Sequence, residues 1–564
     1  MKFLFAQLLY FFQHKTAQRN LVTLGKFFAF LLLIILLYSV LFHALMMYED
    51  RYHTWITGFY WTMTVMSTLG FGDITFHTDL GRLFTMVVLF SGVLFLLILL
   101  PFTFIQFFYA PWLDAQEKAR TPRKLPDTVH GHVIITSVDP ITTRLIEYLS
   151  RQGLPYYIVT ADSHEATSLL DTGYSVIIGE PDRPETYRFI HADKAALIVV
   201  TNDDLKSTNI SFTIRQVSQD VPIVTNANYS HSIDILEFSG NVSVYEFMKM
   251  LGESLSRRAY GVGQGTNIIG RFDDLLISEL PVRYTDIEGK TLAETGIRQS
   301  TGVTVIGMME TGRFFAPSPQ TVITPNTILM LAGSASQLNT FEEAYPVSCT
   351  QEPDKPQVLI LGGGRVGQVA ARTLDEYGIS YRIVEKRPIK AEGAAKDVTT
   401  VGDAADINTL KEAGIDHAKS VIVTTHSDDM NIYLTFYCRQ LREDIQIISR
   451  SILERNVAKL HMAGADQVMS YSSLGAGTIF QLLKPNEVSL FTEGLIVMNR
   501  RAGVELAGKT IMQSGIREQT GYSIIAFRRD DRLTVSPEPE TEIREDDELI
   551  VIGTAENENL FTSL

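Results

Sequence analysis

The sequence predicts a multi-domain chain in which two membrane-spanning helices, with a short helix between them, precede two α/β modules. Each module ends in a small β-rich C-lobe. Three observations predict this class. Two apolar runs near the N-terminus are each long enough to cross a bilayer. Apolar runs that alternate with helical segments begin near residue 130, as in a doubly wound parallel sheet, and the same alternation returns later in the chain.

Length, charge and cysteine content exclude several classes. The 564 residues are too many for one hydrophobic core. A formal net charge of −15 disfavours nucleic acid as a partner. The two cysteines, Cys349 and Cys438, lie far apart in the sequence, so neither a disulfide framework nor a cysteine-based zinc site is expected. Their scarcity suits a reducing cytoplasm.

The membrane domain covers residues 21–110, with spans predicted at about 21–47 and 80–109. Residues 1–20 mix basic and apolar side chains, which predicts an interfacial helix on the inner leaflet. The basic residues that flank the far ends of this helical hairpin are Lys2, Lys15, Arg19, Lys26, Lys118, Arg120, Arg123 and Lys124. Their excess predicts a multi-pass protein with both termini in the cytoplasm.

The loop between the spans has the composition of a K⁺ selectivity filter. Its residues are Thr68, Leu69, Gly70, Phe71, Gly72 and Asp73. Such a filter aligns backbone carbonyls that replace the hydration shell of the ion, and positive φ at Gly70 and Gly72 lets these carbonyls face one axis. The aromatic residues 54–67 are too few to cross, which predicts a half-membrane pore helix. The alternative is a surface turn that joins two anchor helices.

Residues 20–110 resemble the prokaryotic two-helix potassium channels, through Trp61-Thr62, Ser67-Thr68 and the filter loop. The resemblance implies K⁺ as the permeant ion, the lipid bilayer of a prokaryotic inner membrane as the location, and a homotetramer. Four chains are needed because one loop cannot surround an ion.

The filter departs from the family pattern at two positions. Phe71 stands where tyrosine is commoner, and Thr64 stands where some members carry a glutamate that pairs with the filter aspartate. We therefore expect Asp73 to accept a hydrogen bond from the indole N–H of Trp61.

Gly92 and Pro101 are expected to shape the second span. Gly92 falls at the gating-hinge position of the family, and Pro101 removes an intrahelical hydrogen bond. Close packing against a neighbouring helix is an equally open interpretation of Gly92, because small residues often serve that purpose in membranes. Pro101 predicts a kinked or interrupted inner helix.

A linker over residues 111–128 leads to two modules of related sequence. A segment that begins GKT at Gly289 returns at Gly508, and the same spacing of 219 residues separates Gly302 from Gly521. This regularity indicates duplication. The first module covers 129–345, with its N-lobe to about 245 and its C-lobe at about 270–345, and the second covers 355–564, with its N-lobe to about 475 and its C-lobe at about 490–564.

Both modules resemble the RCK domain, the regulator of potassium conductance, also called the TrkA-type domain. The likeness covers residues 130–564, and the segment LHMAGADQVMS at 460–470 carries much of it. The resemblance implies a Rossmann-like N-lobe in each module. It also implies an eight-membered gating ring, because two copies in each of four chains supply eight.

The second module carries the pattern of a dinucleotide-binding turn. After the strand QVLIL come Gly362, Gly364, Arg365, Val366 and Gly367, and the next helix begins there. Glu385 lies 18 residues after Gly367, at the end of the following strand. Glycines let the backbone approach a pyrophosphate and the carboxylate takes ribose hydroxyls, which predicts NAD or an ADP- or ATP-type nucleotide.

Family positions imply further nucleotide contacts. They are Lys386 and Arg387, then Gly402, Asp403 and Ala404 at the adenine, Thr424, Thr425 and His426 at the cleft, and Arg450 facing the phosphates. Lys386 and Arg387 leave a 2′-phosphate open, whereas Glu385 favours NAD(H). The first module has Ser137-Val138-Asp139-Pro140 in place of the glycines, so we expect a structural role or a different ligand there.

Calcium stays open as an additional ligand without an assigned site. Some RCK domains bind it through glutamates on the fifth strand, but the equivalent stretch here reads Ser449-Arg450-Ser451-Ile452. Acidic clusters at Asp273-Asp274 and at residues 545–548 are alternatives, although exposed acidic loops usually serve solubility.

The main hypothesis is a nucleotide-gated potassium channel and not an enzyme. A ligand gates only through different affinities for the open and closed rings. A membrane-anchored NAD-dependent oxidoreductase is one alternative, yet no cysteine or histidine constellation near the glycine turn supports catalysis. A non-conducting transporter regulator is another, yet it has no need of residues 54–73.

Overall fold

The computed structural model of the chain describes residues 15–109, 121–264, 266–272, 274–282, 285–310, 313–325, 327–346, 357–388, 398–483, 488–490, 495–530 and 532–554. The predicted interfacial helix lies outside these residues up to position 14, and the predicted linker lies outside them up to position 120. The chain divides into two compact units, Met1–Pro122 with Asp162–Ile178 and Arg123–Ala161 with Gly179–Leu564.

The membrane domain contains two long helical segments and a short helix between them. Helix α1 covers Lys15–Tyr48, α2 covers Trp55–Met66 and α3 covers Asp79–Gly92. The backbone after α3 stays helical, with π-helical turns at Val93–Leu99, a short α4 at Leu100–Phe104 and π-helical turns at Ile105–Tyr109. The segments Leu24–Tyr48 and Asp79–Phe104 are long and apolar enough to cross a membrane.

Helix α2 has 12 residues, about 18 Å of helix, and is too short for about 30 Å of hydrocarbon. An aromatic core holds it in place. The ring of Trp61, which is buried, has its centroid 4.9 Å from that of Phe42, 5.3 Å from Phe76 and 5.7 Å from Phe84. Because these partners come from both long helices and the loop between them, the short helix is fixed where the sequence predicts a pore helix.

The first N-lobe is a doubly wound α/β fold. Its strands are β1 (Val133–Ile135), β2 (Tyr156–Thr160), β3 (Val176–Ile178), β4 (Leu197–Val200), β5 (Ile223–Asn226) and β6 (Val242–Tyr245). Its helices are α5 (Pro140–Arg151), α6 (Ser163–Asp171), α7 (Pro184–Phe189), α8 (Asp204–Arg215) and α9 (Ile233–Glu237). Within the second compact unit, neighbouring strands follow the order β2-β1-β4-β5-β6 and all pairs are parallel. This order is typical of nucleotide-binding sheets.

Helix α10 (Phe247–Gln264) leads to the first C-lobe, an antiparallel sheet. Its strands are β7 (Asn267–Phe272), β8 (Leu275–Pro281), β9 (Thr304–Glu310), β10 (Arg313–Phe315) and β11 (Ile328–Gly333), in the order β10-β9-β11-β8-β7. Its helices are α11 (Leu292–Thr295), α12 (Ile297–Thr301) and α13 (Ala335–Ala344).

The second module repeats this architecture. Its N-lobe strands are β12 (Val358–Leu361), β13 (Tyr381–Glu385), β14 (Thr399–Val401), β15 (Ser420–Val423), β16 (Gln446–Ser451) and β17 (Gln467–Ser470), in the order β14-β13-β12-β15-β16-β17. Its N-lobe helices are α14 (Arg365–Glu376), α15 (Ile407–Glu412), α16 (Asp428–Leu441) and α17 (Val457–Met462). All neighbouring strands are parallel, as predicted.

Helix α18 (Tyr471–Leu483) leads to the second C-lobe. Its strands are β18 (Val488–Leu490), β19 (Leu495–Arg501), β20 (Ser523–Arg529), β21 (Arg532–Val535) and β22 (Glu548–Thr554), in the order β18-β19-β22-β20-β21, with α19 (Gly503–Leu506) and α20 (Ile516–Thr520) beside them. The two C-lobe sheets share one apolar core, in which Ile277 and Met330 pack with Ile525 and Ile550.

The two modules also exchange packing helices. Helix α10 lies so close to α14 that a Cβ at Gly252 would be 2.8 Å from the Val366 carbonyl oxygen, and the Ser256 hydroxyl donates to the Ala370 carbonyl at 3.0 Å. Helix α18 lies in the same way on α5. Because each helix is buried against the other module, the two N-lobes are packed as a reciprocal pair.

The described end of the linker docks onto the first module. The Leu125 N–H donates to the Phe189 carbonyl at 3.0 Å, and the Lys124 ammonium lies 4.1 Å from the centre of the Phe189 ring. The Asp127 carboxylate lies 3.2 Å from Nε2 of His191. These contacts fix the chain just before β1.

Candidate functional sites in the membrane domain and the second module

The loop at residues 68–73 has an alternating backbone. The angle φ is positive at Thr68 (63°), Gly70 (44°) and Gly72 (73°), whereas Leu69 and Phe71 lie outside that region. This alternation is the pattern that lets successive carbonyls face one axis, and the sequence predicted it at both glycines. It did not predict it at Thr68, because a β-branched residue rarely adopts positive φ.

Asp73 accepts a hydrogen bond from the Tyr60 hydroxyl at 3.0 Å. The Trp61 indole N–H donates instead to the Ile74 carbonyl at 3.1 Å. The expected bond between Trp61 and Asp73 is therefore wrong, because Tyr60, one residue earlier on α2, already lies beside the carboxylate. Thr64 remains inside α2 and donates to the Trp61 carbonyl at 2.9 Å.

Glu49 connects the end of α1 to the segment after this loop. Its carboxylate accepts from the His77 N–H at 3.0 Å and from the Thr78 N–H and hydroxyl at 2.8 and 2.7 Å. The Arg51 guanidinium donates to the Thr75 carbonyl at 2.7 Å. Sequence reasoning missed both residues, because the bonded positions are 24 to 29 residues apart.

Gly92 ends α3 directly against the end of α2. A Cβ at Gly92 would lie 2.7 Å from the carbonyl carbon of Met66 and nearer still to its Cα and oxygen. The π-helical turns begin at the next residue, and Pro101 follows in α4, so the inner helix changes its hydrogen bonding near both positions without ending. This geometry favours close packing for Gly92, and the hinge role of Gly92 and Pro101 stays a prediction.

A cavity of about 730 Å³ lies at the carboxyl end of the second parallel sheet. The predicted nucleotide contacts that line it are Gly362, Gly364, Arg365, Val366, Glu385, Lys386, Gly402, Asp403, Ala404, Thr424, Thr425, His426 and Arg450. The other two predicted residues do not line the cavity but contact residues that do. Gly367 packs on Gly362, and the Arg387 N–H donates to Glu385 at 3.4 Å. The volume is typical of cofactor pockets.

The three glycines of the turn differ in the space that a side chain would have at each position. Gly362 has φ of 109°, and a Cβ there would lie 3.1 Å from the Thr424 carbonyl carbon. A Cβ at Gly367 would overlap the Gly362 carbonyl oxygen. Gly364, the N-cap of α14, has an ordinary φ of −69°, and a Cβ there meets no described atom within 4 Å. The N-terminus of this helix is therefore open to a phosphate.

Acidic groups lie on the side of the cavity where the sequence predicts the ribose. The Glu385 carboxylate accepts from the Gly363 N–H at 2.7 Å and so holds the turn. The Lys386 ammonium lies 2.9 Å from the Asp403 carboxylate. The Ala405 N–H and then Lys386 hold the pKa of Asp403 below its usual range. Since Asp403 neutralises Lys386, this side of the cavity disfavours a 2′-phosphate.

Arg450 is a buried cation on the cavity wall. Arg450 is 7% exposed, and its Nε has no hydrogen-bond partner among the described atoms. Burial lowers the pKa of this guanidinium, while Asp428 acts in the opposite direction. The Asp428 carboxylate also accepts from the Ile452 N–H at 2.7 Å and from the Asn456 amide at 2.8 Å. An unused N–H on a buried cation suits a phosphate oxygen.

Sequence reasoning missed several lining residues. They are Met248, Val384, Ser427, Asp429, Met430, Tyr433 and Leu434. Met430, Tyr433 and Leu434 recur at helical spacing directly after His426, and this signal was available in the sequence. Met248 comes from α10 of the first module, so no local pattern of the second module contained it.

The first module has an acid where the second has Gly364. Asp139 is the N-cap of α5, and its carboxylate accepts from the Thr142 N–H at 2.9 Å. The Asp139 N–H in turn donates to the Thr142 hydroxyl at 2.9 Å. A carboxylate thus occupies the place of a phosphate, which supports the expectation that this module binds no such nucleotide.

The described residues contain no group of three or more His, Cys, Asp or Glu side chains placed to hold a metal ion. Of the acidic clusters considered for calcium, Asp273 lies outside the described residues. In the other, Asp547 pairs with Arg529 at 2.6 Å. The described residues therefore offer no site to which calcium binding could be assigned.

Three domain families match the chain. Residues 133–245 and 358–471 match the TrkA-N domain, residues 277–345 and 501–564 match the TrkA-C domain, and residues 30–109 match the ion channel family. Potassium channel protein 1 of Methanocaldococcus jannaschii is 30% identical over 210 residues, which cover 35% of this chain and 63% of that protein. The chain thus spans less than two thirds of that relative.

Two solved structures extend the likeness. The GsuK channel bound to NAD is 37% identical, with a TM-score of 0.57, and the match covers 97% of this chain and 99% of that one. The GsuK RCK domain is 34% identical, with a TM-score of 0.57, over 80% of this chain and 99% of that one. These matches confirm the two-helix membrane domain followed by duplicated α/β modules, and the chain belongs to the family of two-transmembrane potassium channels with RCK domains.

Proposed function

We propose that the chain assembles as a homotetramer in the cell membrane and conducts K⁺ through a filter built from residues 68–73. The alternating φ at Thr68, Gly70 and Gly72, in a loop between two apolar helices, carries this proposal. One chain supplies one wall of an ion path, and fourfold symmetry supplies the rest. The basic residues at the far ends of the hairpin support a topology with both termini in the cytoplasm.

Opening of this channel is controlled by NAD(H) or an adenine nucleotide in the cavity of the second module. The related GsuK channel has been solved with NAD bound. The open helix N-terminus at Gly364 and the buried Arg450 suit a diphosphate, and α16 supplies an apolar wall for a base. The nucleotide acts here as a regulatory ligand, in keeping with the membership of the chain in a potassium channel family with RCK domains.

Potassium flux into liposomes tests both parts. The purified full-length protein should pass K⁺ but not Na⁺, and NAD⁺ or ADP should change the K⁺ flux by about fivefold or more, the usual range of allosteric coupling. Calcium is added in a separate arm. Absence of K⁺ flux under every condition would refute the channel, and NADH turnover in its place would favour the oxidoreductase.

Replacing Tyr60 by phenylalanine is expected to lower K⁺ selectivity. The variant keeps the ring but removes the hydroxyl that donates to Asp73, so the filter loses a restraint without gaining a cavity. The permeability of Na⁺ relative to K⁺ should rise in reversal-potential measurements. Tyr52→Phe is the control, because Tyr52 is 82% exposed and should leave selectivity unchanged. Equal selectivity in both variants would show that the Tyr60 hydroxyl does not hold the filter.

A further inference from the structure

One side chain belongs both to the cavity and to the contact between the two modules. Arg365, the first residue of α14, lines the cavity beside Met248 of the first module. Its Nη1 also donates to the backbone carbonyl and to the side-chain oxygen of Asn228, each at 3.2 Å. The guanidinium lies 5.9 Å from the centre of the Tyr229 ring. Arg365 therefore spans from the predicted phosphate position to the end of β5.

Asn228 is a well-fixed acceptor. The Asp204 carboxylate accepts from the Asn228 N–H at 2.8 Å and from its amide at 2.9 Å. These bonds leave the two Asn228 oxygens to Arg365. The contact thus has a rigid end in the first module and a long, flexible arginine at the other end.

Two guanidinium groups, those of Arg365 and Arg450, line the cavity. Burial lowers the pKa of Arg450 most, Asp428 and Tyr471 raise this pKa, and the charge of Arg365 lowers it further, so the two guanidinium groups act on each other. The oxygens of Asn228 are neutral. A diphosphate at the N-terminus of α14 carries charge, and hydrogen bonds between a guanidinium and a phosphate are stronger and often bidentate. A bound nucleotide therefore competes with Asn228 for Arg365.

We propose that Arg365 exchanges partners, so that a nucleotide diphosphate draws its guanidinium from Asn228 and loosens this contact between the modules. The proposal rests on the nucleotide site proposed above and names the step that passes binding to the first module. Without ligand, the bonds to Asn228 occupy the Arg365 guanidinium, which must leave them to pair with a phosphate. They lower the apparent affinity, because only the fraction of sites with Arg365 released is competent to bind.

Calorimetric titration of the full-length tetramer in nanodiscs tests the exchange, with NAD⁺, ADP and adenosine as probes. Asn228→Ala removes one of two acceptors, so NAD⁺ and ADP should bind about fivefold more tightly. Arg365→Gln should lower the affinity for NAD⁺ and for ADP by about tenfold. Adding Asn228→Ala to Arg365→Gln should not change these affinities further. Adenosine, which has no phosphate, should bind the parent, both single variants and the double variant equally.

The controls separate this proposal from the site on which it rests. Asn339→Ala changes an exposed asparagine on α13 and should bind NAD⁺ like the parent. Asn228→Ser is measured beside Asn228→Ala, with thermal unfolding as a check, and should shift affinity in the same direction. The exchange would be refuted if Asn228→Ala still changed NAD⁺ affinity in the Arg365→Gln background, or if Asn228→Ala alone bound NAD⁺ more weakly than the parent. Either result would leave the nucleotide site itself intact. A parent protein that binds neither NAD⁺ nor ADP would refute the site itself.

Discussion

Gly364→Asp is expected to weaken NAD⁺ and ADP binding by about a hundredfold or more and to abolish their effect on K⁺ flux. The new carboxylate would occupy the N-cap of α14, where a phosphate would otherwise accept from the helix N–H groups. It would also place like charge beside the ligand. The first module shows this arrangement already, since Asp139 is the N-cap of α5 and accepts from the Thr142 N–H.

The same substitution should leave the fold intact or slightly more stable. A Cβ at Gly364 meets no described atom within 4 Å, and its φ of −69° is open to any residue. Glycine is itself a favoured N-cap, so an aspartate there adds only about a few tenths of a kcal/mol of helix stability. Thermal unfolding should therefore show an unchanged or higher midpoint, while calorimetry shows the loss of affinity.

Two neighbouring substitutions serve as controls for Gly364→Asp. Gly364→Ala adds no charge and should weaken binding far less. Gly367→Ala should lower the unfolding midpoint, because its Cβ would overlap the Gly362 carbonyl oxygen. If Gly364→Asp still responds to NAD⁺ with the parent's affinity, the phosphates do not bind at this helix.

Gly92→Ala is expected to cause the largest loss of assembled channel among the membrane variants. Its Cβ would lie 2.7 Å from the Met66 carbonyl carbon, and backbone atoms of α2 cannot move aside as a side chain does. Overpacking of this kind costs about 1–3 kcal/mol, and here it acts just before the filter. The thermal stability of the detergent-solubilised tetramer and the K⁺ flux should both fall.

Gly25→Ala is the matched control for Gly92→Ala. Gly25 also lies in a membrane helix, but a Cβ there meets no described atom within 4 Å. This variant should keep the stability and flux of the parent. If Gly92→Ala keeps tetramer stability and alters only the open probability, the packing interpretation is wrong and the hinge interpretation of Gly92 is favoured.

The sequence predicted the residues of the nucleotide cavity only where they lie close together along the chain. Gly362, Gly364 and Gly367 lie together between one strand and one helix, so their spacing alone reports a phosphate turn. Met248 and Asn228 come from the other module. Met248 lines the cavity and Asn228 contacts Arg365 because the two modules pack against each other, and no periodicity in the second module encodes that packing.

The membrane domain shows the same limit over a shorter distance. Its two spans and its filter loop are continuous patterns, and both were predicted. The choice between Tyr60 and Trp61 as partner of Asp73 depends on how α2 is rotated about its axis. The packing of Trp61 between Phe42 and Phe84 sets this rotation, and sequence spacing does not reveal it.

The contacts of the linker distinguish the two copies of the duplicated module. The segment around Leu125 and Asp127 is fastened to the first module, at Phe189 and His191, whereas the open phosphate turn belongs to the second. The copy without a glycine turn is thus the one joined directly to the membrane helices. In the proposed channel, a nucleotide bound to the second module would therefore act on the membrane helices through the first module. On this proposal, one copy of the duplicated fold would bind the ligand and the other would transmit the effect of binding to the pore.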